Sequence, residues 1–512
     1  VRPRSGRLLA VALGLITNGA CAARQAPPSP SIAVSTPRPV ADAPASPDAA
    51  LGAAFDARFA ATDDRVLWAV RLERIDGPRE GRAGSPSPAP IVLANRNADR
   101  LVIPASNMKI VTLVAAASRL GWDYRFRTRL HATGPTDGHV LRGDLVVVGS
   151  ADPTIGRGDD PLATFREWAR ALRAKGISRI EGDLVGDPTR LGEEWLGDSW
   201  SWDDLAFGYA APYSGLTFHE NVVRVRITPA AATGKAARAT LWPSATGLAL
   251  QADVQTTGVA APAVQVSRAL GSPTIEVTGA VPQGGTRVER LVAVPDPARY
   301  FLGALRTAFA EEGVEIRGGT RVATRRDVDG TTPLVVHESA PLSDVAVRFM
   351  KVSQNLYGEI LLRALAADAP GGPTPAAARA EVQQVLAALG IAPGTVQELD
   401  GSGLSRRDFV TARAITTLLH AMRQPPHKDV FRATLPIAGT DGTIGSRFTG
   451  SPCAGRLLAK TGTLAHARAL SGYITSASGV EYVFSVIANN FLLPNRDVDA
   501  VVEDALALVC AS

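Results

Sequence analysis

Ile103-Pro104-Ala105-Ser106-Asn107-Met108-Lys109 leads into the apolar run Ile110 to Leu120. Pro104 disfavours helix at the residue before it, so a helix is expected to begin near Ser106 and to end near Leu120. Lys109 lies three residues after Ser106, and positions i and i+3 share one face of a helix. The amine can then reach the hydroxyl and take its proton, and a Ser hydroxyl is a poor nucleophile without such a base. A helix N-terminus adds partial positive charge and free N–H groups, which favour both a nucleophile and an oxyanion. Alone, the pattern more commonly marks an N-capping Ser followed by a solvated Lys.

Lysine usage sharpens this reading. The chain holds 54 Lys and Arg together, and only Lys109, Lys175, Lys235, Lys351, Lys428 and Lys460 are lysines. A chain that writes Arg nearly everywhere keeps Lys where the two are not interchangeable, and Lys can deprotonate where Arg cannot. Two further motifs contain or adjoin lysines. Ser353-Gln354-Asn355 is the only S-x-N, and Lys460-Thr461-Gly462 the only K-T-G. S-x-x-K, S-x-N and K-T-G in this order are shared by penicillin-binding proteins and serine β-lactamases. Ser353 is suited to relaying a proton, and Asn355 to hydrogen-bonding a substrate amide. Lys460 and Thr461 suit a substrate carboxylate. Gly462 permits close backbone approach, and a strand edge there could pair with a peptide.

The flanking residues extend the match. They are Pro104-Ala105-Ser106-Asn107-Met108-Lys109, Gly149-Ser150-Ala151-Asp152-Pro153-Thr154, Glu181-Gly182-Asp183-Leu184, Asn221-Val222-Val223 and Lys351-Val352-Ser353-Gln354-Asn355-Leu356. They continue in Asp400-Gly401-Ser402-Gly403-Leu404-Ser405, Leu435-Pro436-Ile437-Ala438-Gly439, Asp441-Gly442-Thr443 and Lys460-Thr461-Gly462-Thr463. Over roughly residues 55–512 the chain resembles the D-alanyl-D-alanine carboxypeptidase/endopeptidase family typified by penicillin-binding protein 4, peptidase family S13. The resemblance implies an α+β, transpeptidase/β-lactamase-like catalytic domain with mostly-β insertion between its first two motifs. It implies peptidoglycan stem peptides as substrates and β-lactams as ligands, with no cofactor. Ser106 would be acylated by the penultimate D-Ala, with Lys109 and Ser353 handling protons. The N–H groups of Ser106 and Thr463 would form the oxyanion hole. Gln354 and Gly358 depart from the family's usual residues, Gly358 standing where Ala is common, and leave substrate preference open. The rival readings are a serine β-lactamase and a catalytically inactive wall-binding protein.

The rest of the 512 residues sets this unit in context. Apolar residues make up 46% and charged residues 20%, as in a soluble globular protein of two or three domains. The net charge of +5 lies largely in residues 1–50, with no basic stripe, which disfavours nucleic-acid binding. Arg2, Arg4 and Arg7, the run Leu8 to Ile16 and Ala20-Cys21-Ala22 read as an export signal over residues 1–23. Export to the periplasm or cell envelope follows, with membrane attachment only if Cys21 carries a lipid. Residues 24–48, rich in Pro, Ala and Ser, read as a tether. The expected order is then a first catalytic part at 49–124, mostly-β insertion at 125–340 and a second catalytic part at 341–512. Helices are expected at 49–62, 160–175, 297–312, 342–352, 354–367, 376–390, 409–422 and 497–509. Strands are expected at 65–73 and 91–96, at 141–148, 221–228, 274–279 and 287–294, and as a hairpin at 467–475 and 481–489. Cys453 and Cys510 either bridge or remain two buried thiols. The seven His are scattered without a metal-binding spacing, and neither G-x-S-x-G nor a Walker A loop occurs. Asp400 and Asp441, in Gly-rich turns, read as cleft supports.

Overall fold

The computed structural model describes residues 46–62, 65–75, 89–244, 247–258, 263–323, 328, 331–370 and 372–512. The expected signal segment 1–23 and residues 24–45 of the tether lie outside the described residues. Strands from both ends of this range form one antiparallel sheet: β1 (Leu67–Ile75), β2 (Ile91–Arg96), β3 (Leu457–Leu464), β4 (Ala467–Thr475) and β5 (Glu481–Asn489), in the order β2-β1-β5-β4-β3. β1 runs against β5 from Leu67 opposite Asn489 to Ile75 opposite Glu481. β3 lies at the edge, with Lys460 opposite Ser471 on β4 and Gly462 opposite Ala469.

Side chains alternate between two cores, as the strand period of two requires. Trp68, Val70, Leu470, Phe484 and Val486 face one core, filled by Phe55, Phe59, Val502 and Leu506 of the first and last helices, Pro47–Ala60 and Asn495–Ala511. Ala69, Ala469, Tyr473, Val483 and Ile487 face the other, filled by the helices Met108–Arg119, Leu342–Lys351, Asn355–Ala364, Pro375–Ala388 and Ala412–Ala421. A sheet covered on both faces explains why β5 reads as a continuous apolar run rather than an alternating one. The helix Met108–Arg119 is buried from Met108 through Ala117. Its Lys109 is therefore enclosed on all sides, not solvated.

Residues between the two halves build a separate core around Phe165, Trp168, Phe218, Phe301 and Phe309. Here the helices Ala163–Ala174 and Pro297–Glu311 accompany a mixed five-stranded sheet. Its strand order is Thr320–Val322, Leu184–Asp187, Leu145–Val148, Arg127–Ala132 and Val335–Glu338. Leu145–Val148 and Thr320–Val322 both run parallel to Leu184–Asp187. The expected strand at 141–148 is broken by Arg142-Gly143-Asp144 into Val140–Leu141 and Leu145–Val148, which belong to different sheets.

Three boundaries differ from expectation for local reasons. The first helix starts at Pro47, inside the expected tether, because Ser46 Oγ accepts from Ala49 N at 3.2 Å and Pro47 occupies the first turn. The helix expected from 409 begins at Ala412, capped by Thr411, and Phe409–Val410 pairs instead with Val396–Gln397. The strand carrying Lys460-Thr461-Gly462 spans Leu457–Leu464, where sequence reading expected only a strand edge. Cys453 and Cys510, the latter within the last helix, form a disulfide, and both are fully buried. Closing a loop with a sequence separation of 57 stabilises the fold by about 4 kcal/mol in the chain-entropy account. Among the described residues, no helix is long and apolar enough to cross a membrane.

Candidate active site

Ser106 sits in a 3₁₀ turn, Ala105–Asn107, that runs directly into the helix Met108–Arg119. The turn is tight because three segments converge on it. Ala105 has φ +46°, a left-handed conformation that is costly for a residue with a Cβ. Gly403, at φ +78°, lies so near that a Cβ there would sit 1.9 Å from Ala105 O. A Cβ on Gly462 would sit 2.5 Å from Pro104 O. The glycines of Ser402-Gly403 and Lys460-Thr461-Gly462 thus let a loop and the edge strand press against the Ser106 turn.

Lys109 Nζ lies 2.9 Å from Ser106 Oγ, 2.6 Å from Asn355 Oδ1 and 2.6 Å from Ser402 O. The last two groups only accept. A neutral amine has two N–H bonds and one lone pair. Asn355 and Ser402 take the two N–H groups, which leaves the lone pair for the Ser106 hydroxyl. Transfer of the Ser106 proton turns that lone pair into a third N–H and breaks neither of the other bonds. Burial lowers the Lys109 amine and Asp400, Glu359 and Asp408 partly offset it, which leaves it at about 7. A group poised there is suited to act as a general base.

The second pair is built differently. Ser353, at φ +60°, joins the helices Leu342–Lys351 and Asn355–Ala364. Its Oγ accepts from Lys460 Nζ at 2.8 Å, and Lys460 also donates to Thr461 O at 2.8 Å. Lys460 is fully buried, and burial together with the charge of Lys109 holds its amine well below the usual lysine range. Its amine faces Ser353. Thr461 Oγ1 bonds Thr443 Oγ1 at 2.8 Å, and Thr463, exposed, has its Oγ1 bonded by Arg468. Asn355 Nδ2 donates to Tyr209 O at 2.8 Å, so both ends of this amide are engaged.

A cleft of about 710 Å³ connects these groups, lined by Ser106, Ser353, Asn355, Thr461 and Thr463. The structure therefore brings Ser106, Lys109, Ser353, Asn355, Lys460, Thr461, Gly462 and Thr463 to one place. A model of the D-Ala-D-Ala carboxypeptidase 3 (S13) family matches residues 73–511. The chain belongs to this S13 family. It is 33% identical to a D-alanyl-D-alanine carboxypeptidase of Actinomadura sp. strain R39, over 81% of this chain and 78% of that one. It is 26% identical to D-alanyl-D-alanine carboxypeptidase DacB of Haemophilus influenzae, over 78% of this chain and 83% of that one. The fold matches a crystal structure of penicillin binding protein 4 (dacB) from Haemophilus influenzae with a TM-score of 0.74 at 24% identity, covering 86% of this chain and 94% of that one. This S13 protein is accordingly a serine-type hydrolase on the α+β penicillin-binding, β-lactamase-like fold.

Sequence reasoning named some supports of the S13 site without their partners and missed others. The Asp400 carboxylate accepts from the backbone N–H groups of Ser402 (3.1 Å), Gly403 (2.6 Å) and Ser405 (2.7 Å), and from Trp200 Nε1 (2.7 Å). It thereby shapes the loop that offers Ser402 O to Lys109. The D-G-S-G-L-S run carried that signal: Gly at the strained positions and Asp and Ser where a turn needs acceptors. Asp441 accepts from Ile437 N at 2.9 Å and pairs with Lys351. Both aspartates are cleft supports, as expected. Gln354 caps the helix Asn355–Ala364 through Leu356 N (3.2 Å) and donates to Glu220 Oε2 at 2.8 Å. Gly358 has a steric reason: a Cβ there would lie 2.5 Å from Gly401 O. Nothing local in the sequence announced Tyr209, whose contribution is a carbonyl.

Proposed function

We propose that this S13 enzyme hydrolyses the D-alanyl-D-alanine bond of peptidoglycan stem peptides through an acyl-enzyme on Ser106. The observation that carries the reading is the hydrogen-bond set of Lys109, which leaves one lone pair and aims it at Ser106 Oγ. Lys109 takes the Ser106 proton as Oγ attacks the penultimate D-Ala carbonyl. The N–H groups of Ser106 and Thr463 stabilise the oxyanion. The C–N bond then breaks, and the departing D-Ala amine takes the proton that Lys109 received, passed on through Ser353, which Lys460 orients, so that Lys109 is neutral again. Water, deprotonated by Lys109, hydrolyses the ester and restores Ser106. The first half of edge strand β3 pairs with residues 436–438, and its outer edge beyond Thr461 suits an extended peptide. β-Lactams present the same amide and remain as an ester on Ser106.

Export to the cell envelope, with residues 1–23 as signal and 24–48 as tether, completes the proposal. So does the division into 49–124 and 341–512 as catalytic and 125–340 as inserted. Separate hydrophobic cores for the two parts support that division.

Intact mass of the protein with benzylpenicillin, beside Ser106→Ala, tests the mechanism. A lasting adduct of one penicillin, absent in the variant, is expected, as is D-Ala release from a stem pentapeptide. Rapid loss of penicillin without an adduct would make the chain a β-lactamase. Intact penicillin with no adduct would leave an inactive wall-binding protein. Cleavage of a cross-linked dimer in the same assay would add endopeptidase work to carboxypeptidase work.

A further inference from the structure

A second cavity, of about 490 Å³, shares no lining residue with the catalytic cleft. Its wall is cationic: Arg157, Arg224, Arg226 and Arg348 line it, together with His219 and Trp242. Glu220 also lines it, but its carboxylate is committed to Arg348 and accepts from Gln354 at 2.8 Å and Tyr357 at 3.1 Å. Asp159 also lines the cavity, opposite in charge to Arg157. On the remaining side, Arg224, Arg226 and Arg287 share the single carboxylate of Glu289, at 2.8, 3.2 and 2.9 Å. Three guanidiniums on one carboxylate leave excess positive charge beside the cavity.

An aromatic surface lies within this positive wall. Arg226 Cζ sits 4.5 Å and Arg224 Cζ 5.5 Å from the centre of the Trp242 ring, and the His219 ring meets it edge-on at 4.8 Å. The backbone that places His219 and Glu220 is strained. His219, Glu220 and Asn221 have φ of +50°, +55° and +54°, a left-handed run of three non-glycine residues. Each such residue costs about 1 kcal/mol or more. Asn221 holds the run, accepting from Phe218 N at 3.1 Å and donating to Pro212 O at 2.8 Å. Strain of this kind clusters at ligand clamps and active sites, and this run lines the cavity rather than the catalytic cleft.

We propose that this cavity is a binding site for an acidic saccharide. A sugar ring stacks against the Trp242–Arg226 pair, and its carboxylate or phosphate takes the guanidinium forks of Arg224 and Arg226. Arg rather than Lys suits this task, because a planar fork matches an oxyanion bidentately and stacks on an aromatic face. Uronic acids and sugar phosphates share this chemistry, and each would hold the enzyme on its polymer while the cleft works on a peptide.

The test uses the full chain carrying Ser106→Ala, so that the binding result stands whatever the catalytic outcome. Calorimetric titration compares a glucuronate-containing hexasaccharide, a glycerol-phosphate oligomer and neutral chitohexaose. Saturable binding of an acidic probe, weakening with added salt, is expected, with none for chitohexaose. Binding of one acidic probe alone identifies carboxylate or phosphate as the natural group. Arg224→Gln with Arg226→Gln is expected to weaken binding at least about tenfold. Arg226→Lys, which keeps the charge and loses the fork, is expected to fall between. In the catalytically intact protein the same substitutions leave benzylpenicillin acylation unchanged, which also shows that they fold. No binding of either acidic probe, binding that survives the double substitution, or equal binding of chitohexaose would overturn the proposal.

Discussion

Two lysine–serine pairs serve one cleft, and they differ in what lies behind the amine. Lys109 and Lys460 are both fully buried, and each bonds a Ser hydroxyl, at 2.9 and 2.8 Å. Burial alone lowers both amines. Behind Lys109 stand Asp400, Glu359 and Asp408, whose fields return it to about 7. The charge acting on Lys460 is that of Lys109, which pushes the same way as burial. One amine can therefore cycle between charged and neutral near neutral pH, while the other, lowered by burial and by its neighbour's charge, holds a hydroxyl at 2.8 Å. The carboxylates are themselves buried: Glu359 and Glu398 are pushed up to about 8, and Asp408 well above its usual range. The comparison teaches that a base is made by the layer beneath it as much as by its own burial.

The comparison breaks most visibly at the lysines themselves. Lys109→Arg keeps the charge and removes the capacity to accept a proton, so the benzylpenicillin acylation rate is expected to fall about 10⁴-fold. Lys460→Arg is expected to cost less, about 10²-fold, since its work is orientation. Equal losses in stopped-flow acylation would erase the distinction between the pairs.

The next effect is on pH. Acylation requires neutral Lys109, and neutral amine grows as pH rises, so the rate is expected to climb through about pH 7 and then level. Asp400→Asn removes a field that raises Lys109, and the limb should move to lower pH. A limb that stays in place, or moves to higher pH, would detach the buried carboxylates from the base. The same substitution leaves two of the four donors now on Asp400 facing an amide NH₂, with a stability cost of about 1–3 kcal/mol by denaturant titration.

The smallest effect should come from Gly358→Ala. The new methyl would lie 2.5 Å from Gly401 O, well inside contact distance, so the backbone of the loop carrying Ser402 O must move away. A loss of about 1–3 kcal/mol in stability is expected, with a several-fold fall in acylation and little change in the pH limb. Wild-type stability and rate would show that the contact is slack and that the Ser402 carbonyl does not depend on it.

Much of the site was legible because its motifs are local. Ser106 and Lys109 lie one helical turn apart, and Pro104 marks where that turn begins. The strands β4 and β5 and the last helix followed from period and length. Parts without a local signature escaped. Phe409–Val410 carries apolar residues that suit a helix start equally, and pairing with Val396–Gln397 decided for strand. The break at Arg142-Gly143-Asp144 depends on two sheets competing for neighbouring residues. Glu220 gave no sign of reaching Gln354, because the two are 134 positions apart.

The sequence by itself determined the family, the pairing of Ser106 with Lys109 one turn on, the edge-strand motif and the chain's reliance on Arg elsewhere. These are properties of residue type and short spacing, which survive in a linear text. Tertiary structure alone showed the surroundings of the two lysines: carboxylates behind Lys109, and the charge of Lys109 acting on Lys460. It also decided that both ends of the Asn355 amide are engaged, and that Cys453 and Cys510 bridge. Each of these depends on the field, the burial or the partner that distant segments bring together, and a charge in a low-dielectric interior responds to neighbours in space rather than in sequence.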